Sequence, residues 1–282
     1  MKKEKIIYCK DIAKNVRMKA KKEVDLIDDK ITLQVISVGD DPATASYIRG
    51  KVKACKEVGI NCVDTNYGAD SITQDELKQI IIDLNNDPNV HGILIQLPLP
   101  KGFCSDELIN LISPEKDVDG LTDLSIGRLY SGRKDPLKPC TPLGIMEVIK
   151  SVNYNLEGKK AVVIGRSSLC GQPAAKLLQD QNATVTIAHR TTKNLKRICR
   201  EADIIVAAIG KAKFINSDYV KEGAFLIDVG INRVDGSLCG DIDFDDVLDK
   251  VSYITPVPGG AGVMTVAMLI MNTIGAYKLQ HR

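Results

Sequence analysis

Apolar positions in the first half of the chain alternate between helical spacing and short continuous runs. Helical spacing predicts amphipathic helices, whereas a short apolar run bounded by turn residues predicts a buried strand. Together they predict helices at 9–27, 42–58 and 74–84, which alternate with strands at 31–38, 60–66 and 92–95.

A second alternating series begins beyond Pro139 and Pro142. It contains a helix after Gly171, a final helix over 264–277, and predicted strands at 161–164, 184–188, 204–207 and 224–228. Strands that alternate with helices form parallel sheets through right-handed crossovers. We therefore predict an α/β fold class with two domains, residues 1–140 and 141–263, and a C-terminal helix (264–282) that packs back on the first.

Helix ends in the first domain carry recognisable capping residues. Asp41 is suited to the N-cap with Pro42 at the first helical position, and Gly59 is suited to the stop. Thr73 and Glu76 have the spacing of a capping box before the next helix. These signals fix where both helices should begin.

Composition indicates a soluble globular protein. Hydrophobic residues make up 44% and charged residues 26% of the 282, which is unlike disordered, collagenous or membrane proteins. A formal charge of +2 provides no single-sign field for nucleic acid. The N-terminus lacks the apolar core of a signal peptide, and the longest apolar stretch, 263–271, is too short to span a bilayer. We predict a cytoplasmic protein without nucleic-acid or membrane partners.

The eight cysteines are scattered, with no CxxC pair and no histidine cluster of zinc-ligand spacing. We interpret them as reduced thiols, most of which fill small spaces in the core. No metal site is predicted.

A glycine turn follows the strand 161–164. Gly165, Arg166 and Ser167 lead to Gly171, which opens a helix, although the pattern is not GxGxxG. Free amides and the helix dipole at such a turn favour a phosphate group. A purely structural turn is the alternative.

His189 and Arg190 occupy the position after the second strand of this series, where an acidic residue usually binds the adenosine ribose of NAD. An acidic residue would repel a 2′-phosphate, whereas Arg166 and Arg190 are able to bind one through charge-assisted hydrogen bonds. The substitution predicts NADP, with NAD as the less favoured cofactor. Arg190 is otherwise an ordinary exposed residue.

Several polar residues in the first domain are candidates for a reacting site. Tyr47 and Lys51 lie four apart on one helix, beside the apolar stripe of Ile48, Val52 and Cys55. Gln96 ends a buried strand, and carboxyl ends of parallel strands border ligand crevices. Further candidates are Asp117 and Asp119 in PEKDVDG and the turn Pro258, Gly259 and Gly260 in TPVPGGAG. Each of these has a structural interpretation when taken alone.

Together the segments resemble the bifunctional methylenetetrahydrofolate dehydrogenase/cyclohydrolase family along nearly the whole chain. The matching segments are VGDDPATASYIRGKVKACKEVGI, GILIQLPLP, PEKDVDG, PCTPLG, VVIGRSSLCGQP, NATVTIAH, IDVGIN and ITPVPGGAGVMT. The resemblance implies an N-terminal folate-binding catalytic domain, a Rossmann-type NADP domain and an active-site cleft between them. It also implies a homodimer and a folate substrate.

The resemblance also assigns roles to residues. Lys51 is implied as the catalytic lysine, Gln96 as its partner, Tyr47 as a stacking platform for the folate, and Asp119 as the anchor of the pterin. Implied further substrate contacts are Leu97, Pro258, Gly259 and Gly260. Implied NADP contacts are Gly165, Arg166, Ser167, Gly171, His189, Arg190, Thr141, Gly210 and Ile231.

Three positions depart from the family pattern. Arg190 stands where serine is usual, Val263 where proline is common, and Cys170 where valine is common. The residues alone leave two other functions open. One is a shikimate-type dehydrogenase, which also combines an α/β substrate domain with an NADP domain; the other is a non-catalytic folate or dinucleotide sensor.

Overall fold

The computed structural model describes residues 3–133 and 137–282 and contains two α/β units. The three-stranded unit comprises Asn15–Cys140 and Val266–Arg282; the five-stranded unit comprises the residues up to Lys14 and Thr141–Thr265. The predicted domain boundary at residue 140 places the residues up to Lys14 in the first domain. They group instead with the five-stranded unit, because the Ile7 N–H donates to the Ile254 carbonyl at 2.8 Å.

The first part of the chain alternates helices and strands at nearly the predicted positions. Its elements are α1 (Cys9–Val24), β1 (Thr32–Val38), α2 (Pro42–Val58), β2 (Asn61–Tyr67), α3 (Gln74–Asn86), β3 (Gly92–Ile95), α4 (Ser105–Asn110) and α5 (Asp123–Tyr130). The sheet is fully parallel in the order β2-β1-β3, with Leu33 opposite both Cys62 and Gly92. Strand β1 is therefore central, and β2 lies at an edge.

Helix α2 begins and ends where its capping residues predict. The Asp41 carboxylate accepts from the Thr44 N–H at 2.7 Å, and Gly59 ends the helix with φ 91°. The buried face consists of Ile48, Lys51, Ala54, Cys55 and Val58. The prediction that Lys51 lies beside this face is wrong: it falls within the face, because 48, 51, 55 and 58 repeat at helical spacing.

Helix α3 confirms the predicted capping box. The Glu76 N–H donates to the Thr73 hydroxyl oxygen, and the Thr73 N–H donates to the Glu76 carboxylate at 2.8 Å. Leu77 and Ile81 of this helix are buried against Ile36 and Ile93 of the sheet. One core cluster thus lies between α3 and the face of β1 and β3 that carries Ile36 and Ile93.

The second part of the chain builds the five-stranded unit and then returns. Its elements are α6 (Cys140–Ser151), β4 (Lys160–Ile164), α7 (Gly171–Gln179), β5 (Thr184–Ala188), α8 (Leu195–Arg200), β6 (Ile204–Ala207), β7 (Phe225–Asp228), β8 (Asn232–Val234), β9 (Ser237–Cys239), α9 (Phe244–Val247), β10 (Tyr253–Ile254) and α10 (Met264–Gln280). Strands β8 and β9 form a separate antiparallel hairpin.

The larger sheet has the strand order β10-β7-β6-β4-β5, and all its pairs are parallel. The chain moves from β4 outward to β5 and then crosses to the other side of β4 for β6. Such a reversal is the topological switch point at which doubly wound sheets bind ligands. The order matches a Rossmann-type sheet that lacks its third strand.

Helix α10 begins in the five-stranded unit, but its residues from Val266 onward group with the three-stranded unit. There the Asn272 side-chain amide donates to the carbonyl oxygens of Val118 and Lys138, each at 2.8 Å. The segment 261–280 is long and apolar enough to cross a membrane, yet half of it is buried inside the protein. A core helix of a soluble protein has the same length and composition.

Candidate active site

Lys51 and Gln96, which are 45 residues apart in sequence, are hydrogen-bonded to each other. The Lys51 Nζ donates to the Gln96 Oε1 at 2.8 Å. Gln96 directly follows β3, and its backbone N–H donates to the Ile36 carbonyl at 2.8 Å, which extends the pairing with β1 by one residue. The sheet therefore fixes the position of the amide that Lys51 contacts.

The environment of Lys51 favours its neutral form. The side chain is only 8% exposed, and burial lowers the pKa of its ammonium group, although the nearby Asp119 carboxylate opposes this effect. A lysine with a lowered pKa is able to act as a general base nearer to neutral pH.

Asp117 and Asp119 have different roles despite being two residues apart. The buried Asp117 carboxylate accepts from the N–H groups of Gly120, Leu121 and Thr122 at 2.9, 3.2 and 2.9 Å. It holds the turn that carries Asp119. Burial raises the pKa of the Asp119 carboxyl group, and the charge of Lys51 lowers it.

Cys140 and Asn272 complete the surroundings of Asp119. The Cys140 thiol lies 3.4 Å from the Val118 carbonyl, and a hydrogen bond from it lowers the pKa of Asp119. The Asn272 amide lies 3.5 Å from the Cys140 sulfur. Sequence analysis assigned Cys140 to the core and gave Asn272 no role. A polar residue at an otherwise apolar position of α10 was the available signal.

Two predicted substrate contacts lie next to this cluster in the sequence. Tyr47, one helical turn before Lys51, is 55% exposed, so its ring is available to a ligand. Leu97 follows Gln96, is partly buried, and accepts a 2.7 Å hydrogen bond from the Gln96 side-chain amide. The three-stranded unit thus brings together Lys51, Gln96 and Asp119, with Tyr47 exposed on the same helix as Lys51.

The turn Pro258, Gly259 and Gly260 belongs to the five-stranded unit. Gly259 has φ 101°, and its carbonyl accepts from the Cys9 N–H at 2.9 Å. A Cβ on Gly260 would lie 2.3 Å from the Pro256 carbonyl oxygen. The left-handed backbone conformation therefore accounts for Gly259, and close backbone packing accounts for Gly260. Their contact with substrate stays a prediction.

The glycine turn after β4 has the geometry of a phosphate cradle. Gly165 has φ 129°, and a Cβ there would lie 2.2 Å from the Ala208 carbonyl oxygen. A Cβ on Gly171 would lie 2.3 Å from the Gly165 carbonyl oxygen. The Ser167 hydroxyl accepts from the Cys170 N–H at 3.3 Å. The backbone of the turn and the start of α7 are therefore in close contact. This geometry is compatible with a pyrophosphate bound at the helix N-terminus.

Arg166 and Arg190 occupy equivalent positions just beyond the ends of two neighbouring strands. Ile164 and Ala188 pair at the ends of β4 and β5, and each arginine follows two residues later. Both are exposed, and within the described parts of the chain no carboxylate forms an ion pair with either. His189 is held locally, since its N–H donates to the Thr192 hydroxyl at 2.8 Å and its ring contacts Thr191 at 3.0 Å.

The remaining predicted cofactor contacts lie in the same unit. Gly210 follows β6 with φ 66°, Ile231 follows β7 and is 54% exposed, and the Thr141 hydroxyl lies 3.1 Å from that of Thr265. The Gly210 N–H donates to Asp241 at 3.0 Å. The sequence analysis gave Asp241 and its neighbour Asp228 no role, because carboxylates buried by tertiary structure have no local signature.

The described residues contain no group of three or more histidine, cysteine and acidic side chains arranged to hold a metal ion. The cysteines are free; Cys9, Cys55, Cys140, Cys170 and Cys199 are buried, and Cys104 is exposed.

Fold and sites together define a class: α/β proteins that combine a Rossmann-type dinucleotide unit with a second unit carrying an amine, an amide and a carboxylate. Two family models match the chain. The catalytic domain of tetrahydrofolate dehydrogenase/cyclohydrolase matches residues 7–119, and its NAD(P)-binding domain matches residues 139–281. The chain therefore belongs to the tetrahydrofolate dehydrogenase/cyclohydrolase family.

Known relatives agree with this membership. The bifunctional protein FolD of Oceanobacillus iheyensis is 50% identical over 275 residues, which cover 95% of each chain. The structure of FolD, a methylenetetrahydrofolate dehydrogenase/cyclohydrolase, from Campylobacter jejuni superposes with a TM-score of 0.94 at 43% identity, covering 97% of this chain and 98% of that one. The FolD structure from Trypanosoma brucei, complexed with NADP and an inhibitor, has a TM-score of 0.92 at 34% identity, with 98% of each chain covered.

Shikimate dehydrogenase from Aquifex aeolicus is also similar, with a TM-score of 0.53 at 14% identity over 90% of this chain and 93% of that one. This similarity is one of fold alone.

Proposed function

We propose that this chain oxidises 5,10-methylenetetrahydrofolate with NADP and hydrolyses the methenyl product to 10-formyltetrahydrofolate, with Lys51, Gln96 and Asp119 as the groups that meet the folate. The hydrogen bond from Lys51 to Gln96, formed by a lysine that is nearly buried beside an acidic side chain, is the observation that carries the proposal. Family membership supports both activities.

Asp119 and Tyr47 bind the pterin in this proposal. A carboxylate accepts two hydrogen bonds, and the pterin presents a ring N–H and an exocyclic amine as adjacent donors. The exposed Tyr47 ring offers a flat apolar face to the aromatic part of the folate. Asp117 is unavailable for this role because its carboxylate already accepts three backbone hydrogen bonds.

The dehydrogenase step depends on alignment. NADP, when bound, accepts a hydride from the methylene carbon. Loss of that hydride leaves a resonance-stabilised cation on the folate, so no group of the protein has to remove a proton. The protein's contribution is to hold the folate in one orientation through Asp119 and Tyr47.

The cyclohydrolase step needs a base, and Lys51 supplies it. Water that attacks the methenyl carbon must lose a proton, and the neutral Lys51 amine accepts that proton directly or through a second water. The bond from this carbon to N5 then breaks as the remaining hydroxyl proton is transferred to N5, which leaves the formyl group on N10. Burial already lowers the pKa of Lys51. The cationic folate lowers it further, since two positive charges 4 Å apart repel by about 4 kcal/mol at an effective dielectric constant of about 20. Gln96 accepts a hydrogen bond from the amine and so orients it.

Selectivity for NADP is assigned to Arg166 and Arg190. Both side chains are exposed beyond the ends of paired strands, and neither is neutralised by an acidic partner among the residues that the structure describes. A 2′-phosphate on the adenosine ribose would receive hydrogen bonds from the guanidinium groups. The NADP complex of the Trypanosoma brucei relative supports this choice of cofactor.

We also propose a homodimeric enzyme of the cytoplasm that supplies formyl groups for purine biosynthesis. The exposed edge of β2 supports the dimer, because its outer backbone groups have no strand partner among the described residues and Val63 is 40% exposed. Sedimentation or light scattering of the purified protein tests the dimer directly.

One spectroscopic assay tests the central proposal. Purified protein is mixed with methylenetetrahydrofolate and NADP or NAD, and reduced cofactor and methenyl product are followed separately by absorbance. Formation of both with NADP, followed by decay of the methenyl signal, is expected. Absence of both signals would favour the sensor, and turnover of shikimate in place of folate would favour the other dehydrogenase.

A further inference from the structure

Two carboxylates that have no role in the chemistry above are buried in the five-stranded unit. Asp241 is 0% and Asp228 is 3% exposed. Every polar atom of the Asp241 carboxylate is engaged: Oδ2 accepts from the Ile209 and Gly210 N–H groups at 2.7 and 3.0 Å, and Oδ1 accepts from the Lys211 N–H at 2.7 Å and the Asn232 side-chain amide at 2.9 Å.

Asp228 supports Asp241 from the end of β7. Its carboxylate accepts from the backbone N–H groups of Gly230, Asp241 and Ile242 at 3.0, 3.0 and 2.8 Å. Asp228 thus holds the segment that carries Asp241, and Asp241 in turn holds the loop after β6 through three backbone amides.

Glycines allow the two carboxylates to approach the backbone. A Cβ on Gly230 would lie 2.2 Å from the Asp241 carboxyl group, and a Cβ on Gly240 would lie 1.9 Å from the Asp228 Oδ2. The two aspartates and their glycines therefore tie together three loops: 209–211 after β6, 229–232 after β7, and 240–242 after β9. The tie is built from the seven hydrogen bonds that the two carboxyl groups accept.

The strand order shows which part of the cofactor these loops border. In a Rossmann-type sheet the pyrophosphate lies at the first glycine turn, and the adenosine ribose lies beyond the second strand. Here those elements are β4 and β5. Strands β6 and β7 lie on the opposite side of β4, so the loops that follow them border the other nucleotide, which carries the nicotinamide.

We propose that Asp241 and Asp228 are positioning residues that fix the loops bearing Gly210 and Ile231 in the shape that the nicotinamide half of the dinucleotide requires. This inference rests on the proposed function, since it takes NADP as the ligand. It adds a set of residues that do not touch the cofactor yet determine how well its reacting half binds.

The test is the variant Asp241→Asn. An amide nitrogen replaces one carboxylate oxygen, so two of the four donors lose their acceptor, while the volume is unchanged. We expect the dissociation constants of NADPH and NADH, measured by fluorescence or calorimetry, to rise by the same factor of about 10 to 100. The factor is shared because both cofactors contain the nicotinamide half.

Two further measurements separate positioning from general structural damage. Cyclohydrolase activity towards methenyltetrahydrofolate without NADP should stay close to the wild type. The melting temperature should fall by about 2–10 °C, because two buried donors lose their acceptor, and should stay well above the temperature of the binding assay. The matched control is Asp245→Asn, an exposed aspartate of α9 in the same unit, which should leave both dissociation constants unchanged.

The inference is overturned if folded Asp241→Asn binds both cofactors within about twofold of the wild type, or if only NADPH binding weakens. Should Asp241→Asn fail to fold, Asn232→Ala decides instead. It removes one neutral donor to Asp241, and about a threefold loss for both cofactors supports the inference while no change overturns it. Failure of the proposed function would appear separately, as a wild-type protein without folate turnover.

Discussion

The side chains of Lys51 and Gln96 meet at 2.8 Å, although one lies in the middle of a helix and the other at the end of a strand. The contact holds the lysine amine at the carboxyl edge of the sheet, beside Asp119. Lys51 is nearly buried, and burial lowers the pKa of its ammonium group, which supports the proposed role of Lys51 as a base.

Substitution of Lys51 by methionine should remove the base while retaining most of the side chain's volume. We expect Lys51→Met to fold and to lose roughly 10²- to 10⁴-fold in cyclohydrolase rate, the range for a positioned acid or base. The rate of methenyltetrahydrofolate hydrolysis is the measurement. Lys53→Met, an exposed lysine on the same helix, is the control. Near-normal hydrolysis by Lys51→Met would refute the role.

The pH dependence of hydrolysis should report the ionisation of Lys51. Only the neutral amine accepts a proton, so the enzymatic rate rises as pH increases through the lowered pKa of Lys51 and then levels off. Asp119 is the largest influence that raises this pKa. Asp119→Asn should therefore move the rise to lower pH. Rates at saturating folate, after subtraction of uncatalysed hydrolysis, test this, and a rise that stays at the wild-type pH would contradict it.

Asp117 and Asp119 should differ in their effect on stability. Asp117→Asn weakens three buried backbone hydrogen bonds to a charged acceptor and should lower the free energy of unfolding by about 1–3 kcal/mol. Urea unfolding measures this, with Asp70→Asn, an exposed loop residue, as the control. The Asp119 carboxylate accepts no backbone hydrogen bond from the residues that the structure describes, so Asp119→Asn should chiefly raise the KM for folate. Equal losses of stability for both variants would contradict the division of roles.

Arg190→Ser should weaken binding of NADP more than binding of NAD, because only NADP carries the 2′-phosphate. The ratio of kcat/KM for the two cofactors is the measurement. Arg197→Ser, an exposed arginine on α8, is the control and should leave the ratio unchanged. The same unchanged ratio in Arg190→Ser would remove this residue from the phosphate site.

Local sequence signals predicted much of the fold. The cap at Asp41, the stop at Gly59 and the capping box at Thr73 are confirmed, because each depends on hydrogen bonds within a few residues. The parallel arrangement of the strands was predictable because helical and strand spacing of apolar residues alternate along the chain. The family and its two α/β domains are confirmed as well, since the segments that carry the resemblance extend over both.

Features that depend on distant contacts were not predictable in the same way. Lys51 was placed beside the buried face of α2, since a charged residue is expected outside it, and its burial is explained only by Gln96 and Asp119. Asp228 and Asp241 were given no role because their partners lie in three separate loops. The grouping of residues up to Lys14 with the five-stranded unit depends on backbone hydrogen bonds to Ile254 and Gly259.

Asn272 of α10 supplies the hydrogen bonds for the carbonyl groups of Val118 and Lys138, on either side of Asp119 and Gly120. During synthesis, the loop that carries Asp119 therefore lacks this donor until Asn272, which lies 154 residues after Val118, has emerged from the ribosome. The three-stranded unit includes Val266–Arg282, so it is complete only when the nucleotide-binding part has been translated. A fragment that ends at Cys140 should therefore fold poorly and be sensitive to proteases.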